Sequence, residues 1–423
     1  MQQTEKIALL PVGVPLYTLP SPHLHGFCLS LYVKGGSLYE TEGTQGTAHF
    51  IEHLLFRSIH HHMGDTLYQT LDRLGLSVEG VTYREFLQFS ISGAASHFAE
   101  AARILSYALA PLCLTAEDLR VERQRVKAEI REEGDRTSLD AFTERILFES
   151  HPLSHAILGT AGNLDRMSMR YLKKEKDALF SKENCFFYLT GNTPENAEEL
   201  LDTRTKGYRL SSSPRKDNRV PLPQNAFRRE GGVFVKQSPK TLVRLSFDID
   251  TSRYTDAELT LLYDLVFGDG EQSYFHRALS ENTGMIYAFR GYMELYRGYG
   301  SCGVSYEIRP CDLIPSLSLA KEALCRAKAV GEDALAYLRA PYVDNAPLLL
   351  DDASALNFNR AYERFVLGLP YPSLAARADA YRSVSPERLS LSAKEIFSLK
   401  NLTVTCKGRR IDTAKIREVF LDL

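Results

Sequence analysis

The run TAHFIEHLLF at 47–56 holds His49, Glu52 and His53 in the order H-x-x-E-H. This reverses the common H-E-x-x-H zinc signature. Residues four apart on a helix lie on one face, so both imidazoles can reach one ion. Glu52 projects from that same face and can take a proton from water at the ion without being a ligand. A catalytic zinc site needs a third protein ligand. The stretch DLRVERQRVKAEIREEGD at 118–135 offers candidates, being built of helix formers with no Gly or Pro before Gly134. Glu122 and Glu129 stand two turns apart and share a face with Val126. Acids on a partly apolar face are buried only when paired or bound to metal. Each part alone has a plainer explanation: a structural histidine pair, and a solvated acidic helix. The combination is what points to metal-assisted hydrolysis.

These residues need a scaffold, and the chain reads as two copies of one. Ser168, Leu172, Phe180, Ser181, Asn184 and Gly191 recur, all at the same offset, as Ser385, Leu389, Phe397, Ser398, Asn401 and Gly408. In each copy a helical stretch leads into a strand, CFFYLTG or LTVTCKG, and a further helix follows. A constant offset with matching elements indicates duplication. Residues 210–232, rich in Ser, Pro and charge, read as a linker. The expected organisation is a zinc-binding domain at 1–209 and a homologous domain without a metal motif at 233–423. Each begins with strands, and amphipathic helices follow, as in DTLYQTLDRLG with Leu67, Leu71 and Leu74 at helical spacing. The fold class is α+β, with one mainly antiparallel sheet per half covered by helices on one side.

Composition narrows the function. The net charge of -2 gives no bulk attraction for nucleic acid or an anionic membrane. The N-terminus lacks a basic region followed by a long apolar core, and apolar runs are short, so neither a signal peptide nor a membrane span is expected. Seven dispersed cysteines without a C-x-x-C pair fit reduced thiols, and the expected location is the cytoplasm. The run His60-His61-His62 reads as a solvated loop, since adjacent histidines cannot all aim at one ion. Tyr287, Tyr292, Tyr296, Tyr299 and Tyr306 could line a peptide-binding face, although strand packing explains them equally well.

With these residues assembled, the chain resembles, nearly end to end, the pitrilysin/insulinase family of inverted-motif zinc peptidases, the inverzincins. GSLYETEGTQGTAHFIEHLLF looks like the family's lead into its zinc helix, and HPLSHAILGTAGNLDRMS like the stretch that follows, where His-Pro and Gly-Thr recur. The family's third ligand is the second acid of E-x-x-x-x-x-x-E, which is Glu129 here; the first, Glu122, corresponds to a supporting catalytic acid. The resemblance implies a pitrilysin/mitochondrial processing peptidase-like pair of domains. It also implies a zinc-dependent endopeptidase acting on peptides or unfolded segments inside a closed chamber. One Zn2+ per chain follows, because the second half has a single histidine, His276, and no second motif. The chain departs from the family at two places. Family members grip substrate with an Arg and a Tyr seven apart; Tyr287 matches the Tyr, but Ser280 stands at the Arg position, with Arg277 one turn earlier as a substitute. The expectation is therefore the catalytic half of a heterodimer whose homologous partner supplies the Arg–Tyr pair, in preference to a homodimer. Leader-peptide removal or peptide maturation is a role that bacterial two-chain members suggest. Glu79-Gly80 replaces the family's Asn-Ala, with Thr82 retained; an acid there would favour basic substrates, or is equally a surface loop residue. The rival is a non-catalytic scaffold or peptide-binding subunit of the same fold.

Overall fold

The computed structural model describes residues 5–132, 134–149, 151–212, 231–364, 368, 371 and 373–423. Most of the segment read as a linker lies outside these residues. The chain forms two compact units. The first comprises 1–137, 148–220 and 347–370; the second comprises 138–147, 221–346 and 371–423.

The first unit is built on six strands: β1 (Lys6–Leu9), β2 (Pro15–Pro20), β3 (Gly26–Lys34), β4 (Ser77–Thr82), β5 (Phe86–Ala94) and β6 (Cys185–Gly191). Their spatial order is β1-β2-β6-β3-β5-β4, antiparallel except for β2 beside β6. Alternation along the central strands sorts the faces. Phe27, Leu29, Leu31 and Val33 of β3 and Leu87, Phe89 and Ile91 of β5 join the main core, with Phe50, Ile51, Leu54 and Leu55 of the helix Thr47–His62. The other face carries Cys28, Ser30 and Tyr32, then Gln88, Ser90 and Ser92. It is not left open, as the expectation of helices on one side would have it. The helix Ala353–Tyr362 lies against β3 and β6, and its Leu356 packs with Tyr32 and Tyr188. Asn357, fully buried, accepts a hydrogen bond from the Tyr32 hydroxyl at 2.9 Å and donates to the Cys28 and Tyr188 carbonyls.

The second unit repeats the plan with β7 (Gly232–Gln237), β8 (Thr241–Ile249), β9 (Phe289–Tyr296), β10 (Tyr299–Ile308) and β11 (Leu402–Gly408), ordered β7-β11-β8-β10-β9. Here β7 and β11 are the parallel pair. A segment from the first half of the sequence belongs to this unit. In the helix Gly134–Phe148, Thr143 hydrogen-bonds Thr405 at 2.6 Å and Asp140 pairs with the buried Arg244, whose guanidinium lies 4.0 Å from the Tyr292 ring. The contiguous division at 209 and 233 therefore misses two segments, 138–147 and 347–370, each of which belongs to the unit built mainly from the other half. The physical reason is that each sheet has a second, partly polar face needing hydrogen-bonding cover, and a strand pattern does not say which helix provides it.

The repeated residues do the same work in both units. Ser168 caps its helix by accepting from the Tyr171 amide, and Ser385 from the Arg388 amide. Asn184 donates to the Lys34 and Leu179 carbonyls, and Asn401 donates to those of Asp248 and Ile396. Phe180 and Phe397 are both buried. Among the tyrosines of the second half, Tyr296, Tyr299 and Tyr306 are packed inside, while Tyr287 is fully exposed.

Candidate metal centre

The helix Thr47–His62 begins at Gly46, whose φ of 85° is in the left-handed region and whose added Cβ would stand 2.7 Å from the Leu158 carbonyl oxygen. The buried Glu40 carboxylate accepts from the Gly46 amide at 2.8 Å and the Ala48 amide at 2.7 Å. Two otherwise orphaned helix donors are thereby satisfied, and a negative charge sits at the positive end of the helix dipole. This fixes the axial position of His49 in the first turn. Phe50, Ile51, Leu54 and Leu55 fix the rotation by entering the core, which turns His49 and His53 toward the helix Ala116–Glu132.

The Nε2 atoms of His49 and His53 lie 3.7 and 3.5 Å from Glu129 Oε2, and one ligand atom from each of the three residues lies within 4.8 Å of the others. These separations are too long for good hydrogen bonds, which close to about 2.7–3.2 Å. They suit three donors converging on one ion at about 2.0–2.2 Å each, the usual distance for zinc with His and carboxylate ligands. The donor set is two imidazoles and a carboxylate with a position left for water, so it fits zinc. His49 Nδ1 is buried and has no hydrogen-bond partner among the described residues.

Glu122 faces the other nitrogen of His53. Its Oε2 lies 3.4 Å from His53 Nδ1, while Oε1 accepts from Arg57 Nε at 2.6 Å and from Arg125 at 3.1 Å. Glu122, which the resemblance implies to be a supporting acid, lies where it can orient His53. Nδ1–H directed at Glu122 leaves Nε2 free for an ion. Burial raises the carboxyl pKa, but the His53 and Arg57 hydrogen bonds outweigh it and hold Glu122 below the usual range.

The electrostatics prepare unequal histidines. Burial, then the charge of His53, push His49 down to about 4. Burial also lowers His53, but the Glu122 and Glu129 carboxylates beside its two nitrogens overcome that and raise it to about 9. Glu129 is held low, first by the neighbouring His53. Between about pH 4 and pH 9 the three residues therefore hold one proton that an ion must displace, on His53. Uptake of zinc should release about one proton, and apparent affinity should climb about tenfold per pH unit between about pH 6 and pH 8. Competition against a chelator at several pH values measures this; a flat profile would remove His53 from the ligand set.

Glu52 is buried, and its Oε2 accepts from the Thr82 hydroxyl at 2.6 Å. Burial raises its pKa, opposed by the Thr82 hydrogen bond. Thr82 ends β4, an edge strand, so the Glu52 carboxylate is tied to the edge of the sheet. Sequence reasoning noted Thr82 only as a retained family residue and missed this bond. Gly80 is the other residue of β4 that matters here. A Cβ added there would stand 2.6 Å from Phe56 and 3.0 Å from Glu52. Gly80→Ala should displace Glu52 and lower kcat by about 10²-fold, with zinc content unchanged; equal kcat would show that Glu52 needs no such clearance.

The other proposed site residues lie in the second unit. Tyr287 is exposed in the segment before β9, and Arg277 begins a π-turn, Arg277–Glu281, that includes Ser280. The three adjacent histidines are not in a loop. They form the last turn of the zinc helix, where His61 bridges Asp65 at 2.7 Å and Asp118 at 2.9 Å. Asp118 belongs to the first turn of the helix carrying Glu122 and Glu129, so this bridge ties the two site helices together. Neither Glu40 nor Arg57 was anticipated. Arg57 had a signal, being one helical turn beyond His53 on the same face.

Residues 22–161 match the family described as Insulinase (Peptidase family M16), and 168–340 match Peptidase M16 inactive domain. A Rickettsia bellii protein named as an uncharacterized zinc protease is 24% identical over 308 residues, covering 70% of this chain and 71% of that protein. An uncharacterized zinc protease of Mycobacterium tuberculosis is 22% identical over 302 residues, 70% of this chain and 68% of its own. The alpha subunit of the mitochondrial-processing peptidase of Neurospora crassa is 20% identical over 188 residues, 44% of this chain and 33% of that subunit. Among solved structures, a protease from Helicobacter pylori superimposes with a TM-score of 0.82 at 16% identity, covering 96% of this chain and 100% of that one. The first half of the periplasmic protease PqqL from Escherichia coli gives 0.76 at 14%, covering 100% and 97%. With its first domain matching the insulinase peptidases, its second matching their companion domain and its fold shared across nearly its full length, this chain belongs to the insulinase (M16) peptidase family.

Proposed function

We propose that this chain is a zinc-dependent endopeptidase subunit and that it hydrolyses peptides or unfolded segments. The observation that carries this reading is the convergence of His49, His53 and Glu129 beside a buried Glu52. Zinc, when bound, would supply the Lewis acidity that polarises a carbonyl and acidifies water. The rest belongs to the chain. Glu52 takes a proton from the attacking water and returns it to the leaving amine, with Thr82 holding its carboxylate in place. Glu122 fixes His53, and Glu40 fixes the helix on which three of the site residues ride. The free edge of β4 offers backbone groups to an extended peptide, which would join the sheet as an added strand.

One zinc per chain fits the convergent group found among the described residues. A cytoplasmic location accords with seven free cysteines. Ser280 in place of the family's Arg supports a heterodimer with a homologous partner that contributes Arg and Tyr, and the relationship to a subunit of the mitochondrial-processing peptidase favours the same arrangement. Leader-peptide trimming or peptide maturation is the role such a pair would serve. The test is peptide hydrolysis by the zinc-loaded chain, alone and with a co-purifying subunit, before and after chelation. Chelation should abolish cleavage and zinc should restore it. Full activity of the chain alone would reject the heterodimer; no zinc binding would reject the peptidase.

A further inference from the structure

Across the first sheet from the metal residues, a cavity of about 190 Å³ opens beside β4, β5 and the start of the helix Ala353–Tyr362. Ser77, Ser90, Ser92 and Gln88 line it with hydroxyl and amide groups, and Phe358 gives it one aromatic wall. Glu79 is the charged residue of the lining, and no lysine, arginine or histidine among the described residues pairs with its carboxylate. An exposed acid on an edge strand is ordinarily solvated. This one stands at a concave polar surface with an aromatic ring and one residue from Gly80, which lies against Glu52.

Register connects the two. Glu79 pairs with Ser90 of β5, and Ser90 with Ser30 of β3, so Glu79 belongs to the face opposite the core. Gly80, the next residue, faces Glu52. A peptide added to the free edge of β4 alternates in the same way. If one of its residues faces Glu52, the adjacent residue faces the Glu79 cavity, within a residue or two of the bond to be cut.

We propose that the Glu79 cavity is a side-chain subsite for a lysine or arginine of the bound peptide. The proposal rests on the peptidase reading above and names the substrate class that site takes. A long cationic side chain can lay its aliphatic stem along Phe358 and bring its head to the Glu79 carboxylate, with serine hydroxyls and the Gln88 carbonyl accepting its remaining N–H groups. An acidic side chain would meet like charge, and an aliphatic one would leave the carboxylate and hydroxyls without partners.

The test uses the full zinc-loaded chain carrying Glu52→Gln, so that nothing is cut, with its partner subunit where one co-purifies. Short fluorescent peptides, unstructured and bearing a single lysine moved along the sequence, are titrated by anisotropy beside glutamine versions. One register should favour lysine about fivefold, the scale of a partly exposed ion pair. Adding Glu79→Gln should erase the preference without weakening the glutamine peptides, and Glu79→Lys should transfer it to peptides with glutamate at that position. Peptides that bind but show no lysine preference, or that Glu79→Gln weakens alike, would overturn the subsite and leave the peptidase reading standing. Failure of every peptide to bind every form would overturn that reading and the subsite with it.

Discussion

Glu52→Gln should retain zinc and lose peptide hydrolysis by about 10³-fold or more, at the upper part of the range for removing a general acid–base group. Glutamine has the same shape, and its amide oxygen can still accept from Thr82, so the helix and the three ligands keep their places. What it cannot do is carry a proton between water and amine. Zinc content by elemental analysis separates this from loss of metal; activity retained at full zinc loading would sink the mechanism. The companion variant Thr82→Val tests the electrostatics. Burial raises the Glu52 pKa and the Thr82 bond opposes that, so removing the bond should raise it further. Glu52 must be ionised to accept a proton. The acid limb of kcat/KM should therefore move to higher pH in Thr82→Val, with the rate lost progressively as pH falls through the new value.

The convergence of His49, His53 and Glu129 was legible because helical spacing is local. His49, Glu52 and His53 announce one face of one helix, and Glu122 and Glu129 announce a second, whose meeting the metal chemistry requires. Which acid is the ligand was not in the spacing: Glu122 and Glu129 are equivalent by periodicity, and the distinction arises from depth. Glu122 meets the outer nitrogen of His53 together with Arg57 and Arg125, while Glu129 meets the inner nitrogens of both histidines. Glu40 and Thr82 were invisible as parts of the site because their contacts depend on chain reversals. The duplicated sheets were legible through Ser168 and Ser385, Asn184 and Asn401, which cap and bridge identically in each copy. The placement of 138–147 and 347–370 was not. Neither segment's sequence says which sheet it covers, and the long-range hydrogen bonds that assign them leave no periodic trace.

Asn357 shows how much such a long-range group can carry, and Asn357→Ala should destabilise the first unit by about 3–5 kcal/mol. The side chain is fully buried, and four groups from two strands, β3 and β6, close on it: the Tyr32 hydroxyl, the Cys28 and Tyr188 carbonyls, and the Thr190 hydroxyl. Alanine would leave a void and strand several of these, each at about 1–3 kcal/mol if no other partner is found. The Cys28 carbonyl retains a contact from Thr190, and Thr190 itself donates to Ala353, so the total falls short of the sum. Tyr32→Phe removes one donor only and should cost about 1–2 kcal/mol. Denaturant unfolding of both variants measures the ratio, and near-equal losses would show that the helix Ala353–Tyr362 is held by Leu356 and its apolar neighbours rather than by Asn357. The site itself gives a second readout. Loosening this helix leaves the metal residues on the other face of the sheet untouched, so Asn357→Ala at a temperature where it stays folded should bind zinc as tightly as the parent while losing the lysine preference of the Glu79 cavity, whose wall includes Ser354 and Phe358 of that helix.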